Sequence, residues 1–173
     1  MPPLDVTHLR ATLADALARS VRGDPWHGSA VVPLLRAVSA EQARATPLPG
    51  VHSIWEIVLH LTAWSDEVAR RVAGAPPEPP RAGDWPPLPE TPDDRAWRLA
   101  LNDLDAANDR ARVALRDCED SRLLVRVGDG RRDLSLGDGV THAAMLAGLA
   151  QHHAYHGGQI ALLRKVLGIG GDA

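Results

Sequence analysis

Apolar positions recur at helical spacing in four long stretches of the chain, and clusters of proline, glycine and acidic residues separate them. In the first, over residues 4–22, Leu9, Leu13 and Leu17 stand four apart, and Val6 and Val21 extend the stripe as far as Gly23-Asp24-Pro25. After a loop at Trp26-His27-Gly28, a short helix is expected over 30–38. Ser39 with Gln42 then forms a capping-box pattern for another turn or two, which Pro47-Leu48-Pro49-Gly50 stops. A second capping box, Ser53 with Glu56, heads the next long stretch over 53–73, whose apolar face is Ile54, Ile57, Val58, Leu61, Trp64, Val68 and Val72.

Residues 74–92 are dense in proline, which removes backbone donors and forbids a continuous helix. They read as an extended surface connector pinned by Trp85. Thr91-Pro92-Asp93-Asp94 then supplies a cap, a proline at the first helical position and acids in the first turn, which predicts a third long helix over 91–116. Between Asp120 and Gly139 the pattern changes. Leu123-Leu124-Val125-Arg126-Val127, then Gly128-Asp129-Gly130, then Asp133-Leu134-Ser135-Leu136 reads as a short hairpin. The last helix is predicted over 138–167, with Met145, Leu149, His152, His156, Ile160, Leu163 and Leu167 as its stripe. The expected architecture is all-α, one domain over residues 1–173.

Composition narrows the function classes. Apolar residues make up 45% and charged residues 24% of the 173, as in ordinary globular proteins. No run is long and apolar enough to span a membrane, and no basic-then-apolar leader opens the chain, so a cytoplasmic protein is expected. The net charge of -3 offers no clustered cations for phosphates, which argues against nucleic acid as a partner. Cys118 stands alone among Asp117, Glu119 and Asp120. It can form neither an intrachain disulfide nor a thiolate metal cluster, and its acidic neighbours disfavour the thiolate.

The candidate chemistry lies in histidine. His152 and His156 are i and i+4 on one helix, which places both imidazoles on one face about 5–6 Å apart at Cβ, suited to one ion. Two imidazoles in an apolar stripe need partners for their nitrogens, and a shared metal would serve. So would ordinary core hydrogen bonds. His60, between Ile57 and Trp64, is the third candidate if its helix neighbours the last one, which periodicity does not show. His153 is a competing ligand, although it lies roughly 100° around the helix from His152 and off the stripe. Gln159, one turn past His156, is placed either to support a ligand imidazole or simply to pack. His8, His27 and His52 are assigned to surface or capping roles, and His142 is too far along the axis to share the ion. The pattern H-E-x-x-H fails because His153 follows the first histidine where a glutamate is required.

The segments QHHAYHGGQIALLRK, Gln151 to Lys165, and HSIWEIVLHLTAW, His52 to Trp64, resemble the DinB-like superfamily of metal-binding helical bundles. That resemblance implies an up-down-down-up four-helix bundle, often a homodimer, with short extra helices and the proline-rich connector accommodated between long ones. It places the metal ligands on His60, His152 and His156, with zinc or nickel the first expectation and manganese or iron also used. Relatives often carry an acidic residue at the position of His153. The resemblance further implies a metal-dependent transferase that joins a low-molecular-weight thiol to an electrophile in stress or detoxification. A noncatalytic metal-binding stress protein and a metal-dependent hydrolase are the alternatives. An open position beside three neutral ligands suits the catalytic readings.

Overall fold

A computed structural model describes residues 5–128 and 139–170. Seven helices order these residues: α1 (Val6–Val21), α2 (Val31–Leu35), α3 (Ala40–Arg44), α4 (Ile54–Val72), α5 (Asp94–Asp117), α6 (Asp120–Leu123) and α7 (His142–Val166). Among the described residues the chain is helical, and its sole β pairing is one isolated antiparallel bridge, Arg126 with Thr141. Helix α4 packs on α5 and α7, and α1 packs on α7 and α5.

Both capping boxes form. Ser39 accepts from the Gln42 N–H and Ser53 from the Glu56 N–H, while the Gln42 and Glu56 side chains reach back to the cap residues. Two helix starts differ from the sequence reading. Helix α5 is capped by Asp93, whose carboxylate accepts from the Ala96 N–H at 2.8 Å, so Thr91 and Pro92 lie outside it. An aspartate caps as well as a threonine and adds a favourable charge at the dipole's positive end. Helix α7 begins at His142 rather than at 138, because Thr141 takes the cap and accepts from the Ala144 N–H at 3.1 Å.

The segment expected to open a hairpin splits in two. Leu123 belongs to the short α6, and 125–127 pair with 139–142 through Val127 N–H to the Val140 carbonyl (2.8 Å) and His142 N–H to the Val125 carbonyl (3.1 Å). The second expected strand, 133–136, lies outside the described residues.

The core has two apolar halves. One gathers Ile54, Trp55 and Leu61 of α4, Trp97 and Leu104 of α5, and Ile160 and Leu163 of α7, with α2 and α3 packed on it. The other gathers Leu13 and Leu17 of α1, Val68 and Val72 of α4, Ala111 and Leu115 of α5, and Leu146 and Leu149 of α7. Along α4, α5 and α7 the residues between the halves include Ser65, Asn108, and His153 with His156, all buried.

The connector is tied down by a buried ion pair. Glu67 and Arg71 are 2% and 1% exposed, with Arg71 Nε 2.5 Å from Glu67 Oε1. The same guanidinium donates to the Glu78 carbonyl at 2.6 Å, and Trp85 and Leu88 pack against the first apolar half.

Candidate metal centre

Helices α4 and α7 are neighbours, and their packing brings His60, His152 and His156 together. The ring centroids are 4.6–4.9 Å apart, and one ligating nitrogen from each lies within 4.8 Å of the other two. Nε2 of His60 is 2.9 Å from Nε2 of His152. Two nitrogens bound tetrahedrally at about 2.0–2.1 Å would stand ~3.3 Å apart, so these three rings fit one ion after side-chain adjustment on the order of 1 Å.

Hydrogen bonds decide which nitrogen faces the cluster. His60 Nδ1–H donates to the Asp84 backbone carbonyl at 2.6 Å, and His156 Nδ1–H donates to Gln159 Oε1 at 2.6 Å. In a neutral imidazole this leaves Nε2 with the lone pair. Fixing the tautomer through the second nitrogen is what a metal-binding histidine requires. Among the described residues no hydrogen bond engages Nδ1 of His152, so that ring has no such brace.

The electrostatics favour neutral rings. Burial pushes His152 down to about 4, with the neighbouring imidazoles adding to the effect. Burial likewise lowers His60 and His156, against the opposing pull of Asp84 on the first and of the Gln159 hydrogen bond on the second. Neutral imidazole is the form that binds a metal ion.

Aromatic rings wall the cluster. Trp85 stacks on His60 at 4.0 Å and 11°, and on His52 at 3.5 Å and 9°. Trp64 Nε1–H donates to the Asp84 carboxylate at 2.7 Å, which holds the residue whose carbonyl orients His60. The pinning role expected of Trp85 is therefore tied to the site itself. His52, assigned to the surface, is exposed but belongs to this wall. No sequence signal pointed to Asp84, since the group it contributes to His60 is backbone.

His153 requires a correction. It does not point off the buried stripe; it is fully buried, with Nδ1 3.1 Å from Ser20 Oγ and Nε2 3.2 Å from Ser65 Oγ. The reason is that α7 is covered on two sides, by α1 and by α4, so its buried sector is broader than one stripe and runs through Leu146, Leu149, His153 and Ile160. His152 sits at the edge of that sector and is partly exposed. Burial drives the His153 imidazole down to about 3, and His152 and His156 reinforce this. His142 is also buried and outside the cluster, its Nδ1–H donating to the Val125 carbonyl at 2.8 Å.

A family model described as the DinB superfamily matches residues 25–160, from before α2 through most of α7, including all three clustered histidines. The chain belongs to the DinB superfamily. No curated protein and no solved structure matches it. Among the described residues no helix is long and apolar enough to cross a membrane.

Proposed function

We propose that the protein is a metal-dependent thiol transferase whose ion is held by His60, His152 and His156. The observation that carries this reading is the convergence of three imidazoles with two Nδ1–H groups already committed to oxygen acceptors, so that Nε2 lone pairs point at one shared volume. An all-nitrogen donor set with no carboxylate suits zinc or nickel better than manganese, and iron remains compatible. When bound, the cation lowers the pKa of a small thiol and stabilises its thiolate for attack on an electrophile.

The chain's own residues supply orientation. Asp84 and Gln159 fix two ligand rings, and Trp64 and Trp85 wall them. Cys118 is not the nucleophile: it is buried near the end of α5, and burial raises its thiol. The thiol therefore comes from outside.

The distribution of core residues supports an up-down-down-up bundle. Helices α4 and α5 both run from the Trp55 half towards the Val72 half, whereas α7 runs the other way, as does α1 from Leu13 towards Ser20. A homodimer in the cytoplasm completes the reading. Tyr155, Leu162 and Val166 give α7 an exposed apolar face suited to self-association.

The test is elemental analysis of tag-free protein, native and His156→Ala, followed by incubation of the metal-loaded native form with small thiols and a panel of electrophiles. One equivalent of metal, lost on substitution, and thiol consumption support the proposal. Metal binding without thiol consumption or thiol binding would leave a noncatalytic metal protein, and unchanged metal content in the variant would remove the site.

A further inference from the structure

Each of the four long helices contributes one buried polar side chain to a single hydrogen-bonded layer. Ser20 of α1 meets Nδ1 of His153 on α7 at 3.1 Å, and Ser65 of α4 meets its Nε2 at 3.2 Å. The Ser65 hydroxyl is also 3.2 Å from Asn108 Oδ1 on α5. All four residues are at most 6% exposed. On α4, α5 and α7 the layer falls between the two apolar halves of the core.

Apolar packing alone specifies helix rotation weakly, because neighbouring hydrophobic positions are interchangeable at modest cost. A buried polar residue is different, since it must keep its partners or leave groups unsatisfied, and such residues fix register in helical assemblies. His153 is the member of this layer on α7, and it bonds two other helices at once, α1 through Ser20 and α4 through Ser65. It is also adjacent in sequence to His152, the one clustered histidine whose second nitrogen has no hydrogen bond among the described residues. The orientation of His152 therefore depends on the rotation of the helix that carries it.

We propose that His153 is a positioning residue that locks the rotation of α7 through Ser20 and Ser65, so that His152 and His156 present their rings to His60. The ligand role of those three histidines is taken from the metal-centre reading above; the locking of α7 is not.

The partners make the test clean. Each has a local fallback on its own helix: Ser20 Oγ lies 3.1 Å from the Leu17 carbonyl, Ser65 Oγ 2.7 Å from the Leu61 carbonyl, and Asn108 Nδ2 2.9 Å from the Leu104 carbonyl. Replacing His153 by an apolar side chain thus strands no buried donor, and His153→Leu is expected to fold with wild-type helicity. Zinc affinity, measured by chelator competition on protein shown to be fully folded, should fall 10–100-fold in His153→Leu. It should fall about threefold to tenfold in Ser65→Ala and recover in part in His153→Gln, which keeps one hydrogen bond. Wild-type affinity in folded His153→Leu overturns the proposal. Should that variant not fold, Ser65→Ala carries the same test, and wild-type affinity there overturns it.

Imidazole nitrogen NMR of the metal-free proteins gives a second readout. The His60 and His152 Nε2 resonances should change together in His153→Leu, and unchanged resonances overturn the proposal. A native protein that binds none of zinc, nickel, iron and manganese would sink the metal-centre reading, while these resonances still decide the role of His153.

Discussion

Oε1 of Gln159 lies 2.6 Å from Nδ1 of His156, so the amide oxygen receives the imidazole proton one turn further along α7. Removing that acceptor frees the ring to rotate or change tautomer without altering the ligand atom. Gln159→Leu is expected to keep the fold and lose 10–100-fold in metal affinity, as is usual when the partner of a metal-binding histidine is removed. Chelator competition measures it, and an unchanged affinity would mean the contact is packing only.

The depressed histidines make the metal-free protein acid-sensitive. His60, His152, His153 and His156 all have folded-state pKa values below the ordinary value near 6.5, His152 reaching about 4 and His153 about 3. Below about pH 6.5 the unfolded chain binds protons that the folded chain refuses. The stability they contribute is complete above that pH and is lost as pH falls towards the folded values. Glu56 and Glu67 are also lowered, but from 4.5, so their stabilisation fades only at lower pH. Urea denaturation in chelator at pH 7.5, 6.5 and 5.5 should therefore show falling stability before the carboxylates titrate. A flat profile over that range contradicts the burial of these rings.

Much of the fold was legible because capping boxes and helical periodicity are local signals. Ser53, Glu56 and the apolar face that follows needed only their neighbours in sequence, and so did the pairing of His152 with His156. What periodicity missed was set by neighbours distant in sequence. His153 is inside because α1 and α4 both cover α7, and a stripe drawn through His152 assumes a single covering partner. The convergence of His60 with the α7 pair likewise depends on which helices touch. Asp84 was unreadable for a different reason: any residue offers a carbonyl, and only the path of the connector aims this one at His60. Asp93 displaced Thr91 as a cap because two competent caps stood two residues apart, a choice that local pattern leaves open.

Cys118 should behave as an inert thiol. It is 8% exposed, and burial raises its pKa, with Glu119 and Asp120 working in the same direction against Arg122 and Arg10. Ellman's reagent at neutral pH should react many times more slowly with native than with urea-unfolded protein. Cys118→Ala should leave metal content unchanged. Rapid native labelling, or loss of metal in that variant, would return the cysteine to consideration as a participant.

The Glu67–Arg71 pair is the point where stability and the site are joined. Burial alone would raise the Glu67 carboxyl, yet hydrogen bonds and charge from Arg70 and Arg71 outweigh it and hold the group below its ordinary value. Arg71 passes this constraint outward, donating to the Glu78 carbonyl at 2.6 Å and lying 5.5 Å over the Trp64 ring. Trp64 in turn holds Asp84, whose carbonyl orients His60. Glu67→Ala leaves a guanidinium buried without its carboxylate, which costs about 3–5 kcal/mol in comparable buried pairs. The replacement should lower the urea midpoint by that measure and, on protein that is still folded, weaken metal binding as the connector loosens over His60. Glu67→Gln keeps an acceptor for Arg71 and should lie between. A loss below about 1 kcal/mol in Glu67→Ala would show that the other partners of Arg71, the Glu78 carbonyl among them, hold the guanidinium without Glu67.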